Sequence, residues 1–251
     1  MRRLQEGRIT QDFVTEARDE IDESEFRVMY DCEFPEDDVD NPFFRRELLD
    51  KAHEPRFDFD APICIGIDVA RGGGDLSVVT VGAAKEGRIR ILKQIARNFR
   101  DTMMLVGLTR ELLRDYNEVT KVAVDAHGVG GALLDAMRAD LQTAEGARDV
   151  TFMEYLAGSG ARRNKQRYAN LKTEVANTLL QKMRQGMVDI SGGADELMPQ
   201  LGMYARTTTT AERLKIADPE SKSPDFGDSL LAFVFASMGS GSLLISDYSA
   251  P

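Results

Sequence analysis

Three carboxylate-bearing segments, far apart in the 251-residue chain, hold the residue types best suited to chemistry. They are ICIGIDVARGGGD (63–75), VAVDAHGVGGALLD (122–135) and SPDFGDSLLAF (223–233). Asp68 and Asp125 each close an apolar run, and Asp225 and Asp228 open one. Carboxylates gathered from three such places repel one another unless cations lie among their oxygens, and hard oxygen donors suit Mg2+ or Mn2+. Two such ions, roughly 3.5–4 Å apart, can hydrolyse a phosphodiester without a nucleophilic side chain. That fits a chain with no evident Ser/His/Asp or Cys/His set. Taken singly, each aspartate has a plainer role: Asp68 as a turn residue, Asp125 as a helix cap, Asp225 as a first-turn acid favoured by the helix dipole. Asp228 is harder to dismiss, because it lies three residues on, on the same helical side. Asp75 and Asp135 read as structural or solvated, and His127 as a loop histidine without an evident partner.

The elements around these acids must position them. PICIGIDVA is a nearly continuous apolar run, as expected of a central strand. SVVTVGAA and RIRILKQIA follow as two strands joined at Lys85-Glu86-Gly87, which predicts an antiparallel meander. Residues 101–116 read as a helix, 121–125 as a fourth strand, 128–141 as a helix and 150–156 as a fifth strand. Glycines 128, 130 and 131 lie where strand hands over to helix, a place that suits a phosphate. A basic loop, GSGARRNKQRY, runs into a helix expected over about 165–185; the strand pair ARTTTT and RLKIAD and a helix over 225–238 follow. The order βββαβαβα predicts a ribonuclease H-like fold: a mixed five-stranded sheet flanked by helices, with a small helical N-terminal extension.

Residues 1–60 read as an acidic linker segment with two short helices over 10–34 and another opened by Asn41 and Pro42. Residues 61–240 read as the main domain, and 241–251 as a disordered tail. The net charge of −10 argues at first against nucleic acid. Its distribution removes that objection: residues 1–60 hold 19 acids and 9 bases, leaving 23 of each in the rest. With the four site carboxylates set aside, the main domain is near +4, which leaves room for a DNA-binding face. Arg162, Arg163, Lys165 and Arg167 on the loop, with Arg206, Arg213 and Lys215 in the hairpin, are the candidate phosphate contacts; Lys222 and threonines 207–210 can assist. With no tryptophan and no aromatics interleaved among the bases, sequence-tolerant binding is expected. Cys32 and Cys64 do not make a disulfide framework, and no apolar run reaches the ~18 residues of a membrane span.

The segments GIDVARGGGD, VDAHGVGG and SPDFGDSLLAF resemble the C-terminal nuclease domain of the large terminase subunit of tailed phages. ITQDFVTEARDEIDESEFRVMYDCEFPED resembles the connection between that subunit's motor and nuclease domains. The resemblance implies Asp68, Asp125 and Asp228 as metal-binding acids, with Asp225 a neighbouring ligand or helper. It implies an endonuclease with two Mg2+ or Mn2+ ions that cuts concatemeric double-stranded viral DNA during genome packaging. The implied partners are the motor ATPase domain, the small terminase subunit and the capsid portal, in the cytoplasm of an infected bacterium. The isolated domain is expected to be a monomer. No GxxxxGK[ST] pattern is present, so this chain is not expected to hydrolyse ATP.

Rival readings remain. IGIDVARGGGDLSVVTV also resembles the first phosphate hairpin of sugar kinases and actin-like ATPases, but no second Asp-Gly-Gly hairpin follows. A Holliday-junction resolvase or a transposase would use the same acids. A non-catalytic DNA-holding module would use them only as caps, and metal binding separates it from the enzyme.

Overall fold

The run ICIGID forms β1 (Ile63–Asp68), buried on both faces, and the whole domain is arranged around it. This computed structural model describes residues 41–55, 60–70, 76–99, 101–141, 150–219 and 223–238. The helices expected over 10–34, the acidic run 33–40, Asp75, Lys222 and the tail from 241 lie outside the described residues. In chain order the elements are α1 (Arg46–His53), β1, β2 (Ser77–Lys85), β3 (Arg88–Arg97), α2 (Thr102–Asp115), β4 (Val119–Asp125) and α3 (Val129–Leu141). Then come β5 (Thr151–Tyr155), α4 (Leu171–Arg184), β6 (Val188–Asp189), α5 (Leu197–Met203), β7 (Ala205–Thr208), β8 (Leu214–Ala217) and α6 (Asp225–Ser237).

The main sheet has the order β5-β4-β1-β2-β3-β6, with β1, β2 and β3 antiparallel and β4 and β5 added parallel to β1. It is therefore six-stranded, not five: Val188 and Asp189 add two residues parallel to β3, too short a run to register as alternation. Glu86 and Gly87 turn the first hairpin with φ of 51° and 82°, the left-handed pair that matches strand twist. β7 and β8 form the separate hairpin expected of ARTTTT and RLKIAD.

Alternation along the strands sorts the core into two layers. Ile63, Ile65 and Ile67 of β1 join Val79, Val81, Val122 and Val124 under α2 and α3. Cys64, Val78 and Ala123 face the opposite way, into a layer formed by α6, α4, α1 and α5. Helix α6 lies very close to β1, because position 66 is glycine: a Cβ there would sit 2.0 Å from the Phe233 nitrogen and 2.4 Å from the Ser229 carbonyl. A buried polar chain ties the same helix across the sheet. Gln94 Nε2 donates to Thr80 Oγ1 at 2.8 Å and to the Phe226 carbonyl at 3.1 Å, and the Thr80 and Ser229 hydroxyls bond to each other.

Two helix starts differ from the expectation. Asn41 and Pro42 do not open a helix: Asn41 has a positive φ, Pro42 bridges to Ala205, and α1 begins only at Arg46. Residues 43–53, read in sequence as part of the linker segment, pack into the core through Phe43, Phe44, Leu49 and Ala52. α4 begins at 171 and not near 165, because Asn170 takes the N-cap and accepts from the Thr173 N–H at 2.9 Å.

Candidate active site

The parity that buries Cys64, Gly66 and Ala123 on the α6 side also places Asp68 and Asp125 there, at the carboxyl ends of adjacent parallel strands. Tyr155, opposite Asp125 in register at the end of β5, joins them. The first turn of α6 supplies Asp225 and Asp228. All four predicted acids are thus brought to one end of the sheet.

Their mutual influence is strongest at Asp68. Burial pushes its carboxyl well above the usual carboxylate range, and Asp228, Asp125 and Asp225, in that order, push it further. Among the described residues Asp68 has no hydrogen bond or ion pair; Lys172, the one group that lowers it, acts only at a distance. Asp125 is held differently. Its Oδ1 accepts the His127 backbone N–H at 3.1 Å and lies 3.0 Å from His127 Nδ1, an Asx turn that ties the histidine to the strand end. His127 therefore has a partner that its sequence position did not disclose. A Cβ on Gly130 would lie 1.7 Å from the Asp125 carbonyl, so only glycine lets α3 start that close to the strand. Asp225 is buried, and its Oδ2 accepts from the Leu76 N–H at 3.4 Å. Asp135 is exposed and pairs with Arg138, outside the cluster.

Asp228 is the most heavily bonded of the four. Its Oδ1 accepts from Tyr204 Oη at 2.6 Å and lies 2.6 Å from Lys172 Nζ. Burial raises its carboxyl, against the lowering effect of Lys172 and Tyr204. Lys172 also reaches Asp218 Oδ1, at 2.5 Å, and its ammonium lies 5.1 Å from the Tyr204 ring centroid. Lys172, Asp218, Tyr204 and Tyr155 were all missed in sequence. A signal existed for Lys172: it sits at helical spacing with Val175, Ala176 and Leu179, all buried, so a lysine occupies a core position. Tyr155 is fully buried, its ring 5.2 Å from Phe235, and its hydroxyl has no hydrogen-bond partner among the described residues. Burial and then Asp228, Asp125, Asp218 and Asp68 hold that phenol well above its ordinary value, so it remains a proton donor among acceptors.

A divalent cation fits the charge of this cluster: one unpaired acid, raised by three others, is the arrangement such an ion relieves. The side chains as they stand do not close on one coordination point: among the described residues no three Asp, Glu, His or Cys groups come together tightly enough to hold an ion.

The basic residues lie on the loop before α4 and on the β7–β8 hairpin. Glu174, buried on α4, accepts the N–H groups of Arg162 and Arg163 at 2.6 and 2.8 Å, and the Arg162 guanidinium lies 4.6 Å from the Phe235 ring. The loop is tied to the hairpin as well: the Ala169 N–H donates to Leu214 and the Leu214 N–H to Arg167, at 2.9 and 2.8 Å. It is thus anchored on both flanks. Arg163, Lys165, Arg167 and Lys215 are exposed, whereas Arg206 and Arg213 are half-buried, Arg206 over Phe43.

No protein-family model matches the sequence, and no curated protein matches it either. Solved structures do match. The nuclease domain of the large terminase subunit gp2 of bacterial virus Sf6 superposes with a TM-score of 0.65 at 12% identity, over 77% of this chain and 98% of that one. The large terminase nuclease from thermophilic phage G20c gives 0.55 at 20% identity, over 77% and 97%. The HK97 bacteriophage large terminase gives 0.55 at 14%, over 79% of this chain but 43% of that one. The Sf6 domain has been solved with manganese, and the G20c nuclease with magnesium and with cobalt. This chain therefore has the fold of these solved large-terminase nuclease domains.

Proposed function

We propose that the chain is a divalent-metal-dependent DNA endonuclease, the nuclease part of a viral genome-packaging terminase, with Asp68, Asp125 and Asp228 as its metal-holding acids and Asp225 beside them. The observation that carries this is Asp68: an unpaired carboxylate at a strand end, facing three other carboxylates drawn from β4 and α6. A structural aspartate finds a donor; this one has no hydrogen bond among the described residues, and three acids raise it against Lys172 alone among the charges that act on it most. The solved terminase nucleases with magnesium, manganese or cobalt support the same reading by fold.

Bound there, Mg2+ or Mn2+ supplies a water of lowered pKa and positive charge at the scissile phosphate, with two ions expected per site. The chain's own residues do the rest. Asp68, on rigid β1, offers oxygens free of any other partner. Asp125, fixed by the His127 N–H, offers Oδ2. Asp228 offers Oδ2, since Oδ1 is taken by Tyr204 and Lys172. Arg162, Arg163, Lys165, Arg167 and the hairpin bases Arg206, Arg213 and Lys215 hold the duplex by its phosphates, which positions DNA without reading sequence. The proposed substrate is concatemeric double-stranded DNA, and the proposed partners are a motor ATPase domain, a small terminase subunit and a capsid portal in the host cytoplasm. Among the described residues no helix is long and apolar enough to cross a membrane.

The test is Mn2+-dependent cleavage of supercoiled plasmid by the wild type and by Asp68→Asn. Cleavage by the wild type and its loss in a folded variant are expected. Equal cutting by both removes Asp68 from the site, and no cutting by the wild type at any divalent ion favours the non-catalytic DNA-holding module.

A further inference from the structure

Lys172 stands where local physics disfavours it. It is buried, which penalises its charge, and it is the second residue of α4, where the helix dipole repels a cation. Yet it lies between two carboxylates that offset both costs. Both carboxylates reach Nζ, Asp228 from inside the acid cluster and Asp218 from the more exposed position just past β8. The Tyr204 hydroxyl bonds the same Asp228 oxygen that Lys172 takes. Oδ1 of Asp228 is thereby committed to two donors, and Oδ2 has none among the described residues.

We infer that Lys172, held by Asp218, is a positioning residue: a resident cation that fixes Asp228 through Oδ1 and leaves Oδ2 as the single oxygen it offers to a divalent ion. The inference rests on the proposed nuclease reading. Two consequences oppose each other and make it testable. The fixed positive charge weakens ion binding, because the cluster is already partly neutralised. The fixed geometry speeds the reaction, because Asp228 cannot rotate. A purely structural lysine would produce neither.

The experiment compares wild type, Lys172→Met and Asp218→Asn in two measurements. In Mn2+ titration calorimetry on metal-free protein, Lys172→Met should bind at least about threefold more tightly, as loss of a neighbouring like charge demands. At saturating Mn2+ its plasmid cleavage should nonetheless fall by at least about tenfold, the scale of a misplaced catalytic group. Binding equal to or weaker than wild type overturns the inference. Asp218 is more exposed, so Asp218→Asn should fold; it should also cut more slowly at saturation, and an unchanged rate removes Asp218 from the arrangement. The metal-free arm is thermal unfolding in chelator. Lys172→Met should be less stable than wild type, and adding Asp228→Asn should restore most of the loss, because the uncompensated carboxylate is gone. No restoration overturns the pairing. If no protein binds Mn2+, the metal reading fails by itself and the unfolding cycle still decides whether Lys172 is the partner of Asp228.

Discussion

Gly66→Ala tests whether the site depends on the closeness of α6 to β1. A methyl at position 66 would lie 2.0 Å from the Phe233 nitrogen and 2.4 Å from the Ser229 carbonyl. Ordinary contact begins near 3.4 Å, so backbone must separate from backbone by about 1.4 Å; neither atom is the end of a flexible side chain. Overpacking a core ordinarily costs about 1–3 kcal/mol, and a clash between two backbones belongs at or beyond the upper end. About 3 kcal/mol lowers the melting temperature of a domain of this size by roughly 6–12 °C. The displaced helix carries Asp225 and Asp228, while Asp68 lies two residues from the substitution. A shift of about 1 Å at a catalytic group costs on the order of 100-fold in rate, so the folded fraction should cut DNA about that much more slowly. Differential scanning calorimetry and plasmid cleavage at a temperature below the transition read the two effects. Gly107→Ala is the control: its Cβ meets nothing within 4 Å in the middle of α2, and it should gain up to about 1 kcal/mol from helix propensity. If Gly66→Ala melts and cuts like wild type, the tight seating of α6 on β1 is not what positions the acids.

Two further outcomes follow from the charges. The folded state holds the Asp68 proton more tightly than the unfolded chain does. Stability from this group is therefore present below the ordinary Asp value and lost as pH rises through the raised one. Metal-free Asp68→Asn should thus melt above wild type near pH 8 and lose that advantage below about pH 4; parallel profiles would contradict the repulsion assigned to this cluster. On the DNA side, Arg162→Ala with Arg163→Ala should weaken duplex binding and reduce the slope of log affinity against log salt by about 1.8, for two phosphate contacts. An unchanged slope, measured by fluorescence anisotropy, takes the loop off the DNA path.

The parts legible in sequence were those set by short-range pattern. Unbroken apolar runs marked β1 and β4 as strands, each closed by an aspartate. Asp225 and Asp228 were legible because they open a strongly apolar helix. What escaped was set by tertiary contact. Val188 and Asp189 form a strand only because β3 offers them an edge. Asn41 and Pro42 look like a helix start, but pairing of Pro42 with Ala205 overrides that preference. Lys172 was overlooked because a lysine in a helix is usually a solvated one, and its two partners lie 46 and 56 residues further along the chain.

The Thr80–Ser229–Gln94 chain has a meaning beyond its few hydrogen bonds. An apolar helix on an apolar sheet gains nearly the same burial over a range of axial positions, so grease alone does not tell α6 where to stop. Sliding by one turn would break the Thr80–Ser229 bond and the Gln94 bond to the Phe226 carbonyl, and a buried polar group left short of a partner costs about 1–3 kcal/mol. The trio is therefore an index pin. It selects one axial setting of the helix out of several that packing would tolerate, and that setting is the one in which α6 presents its aspartates level with the ends of β1 and β4.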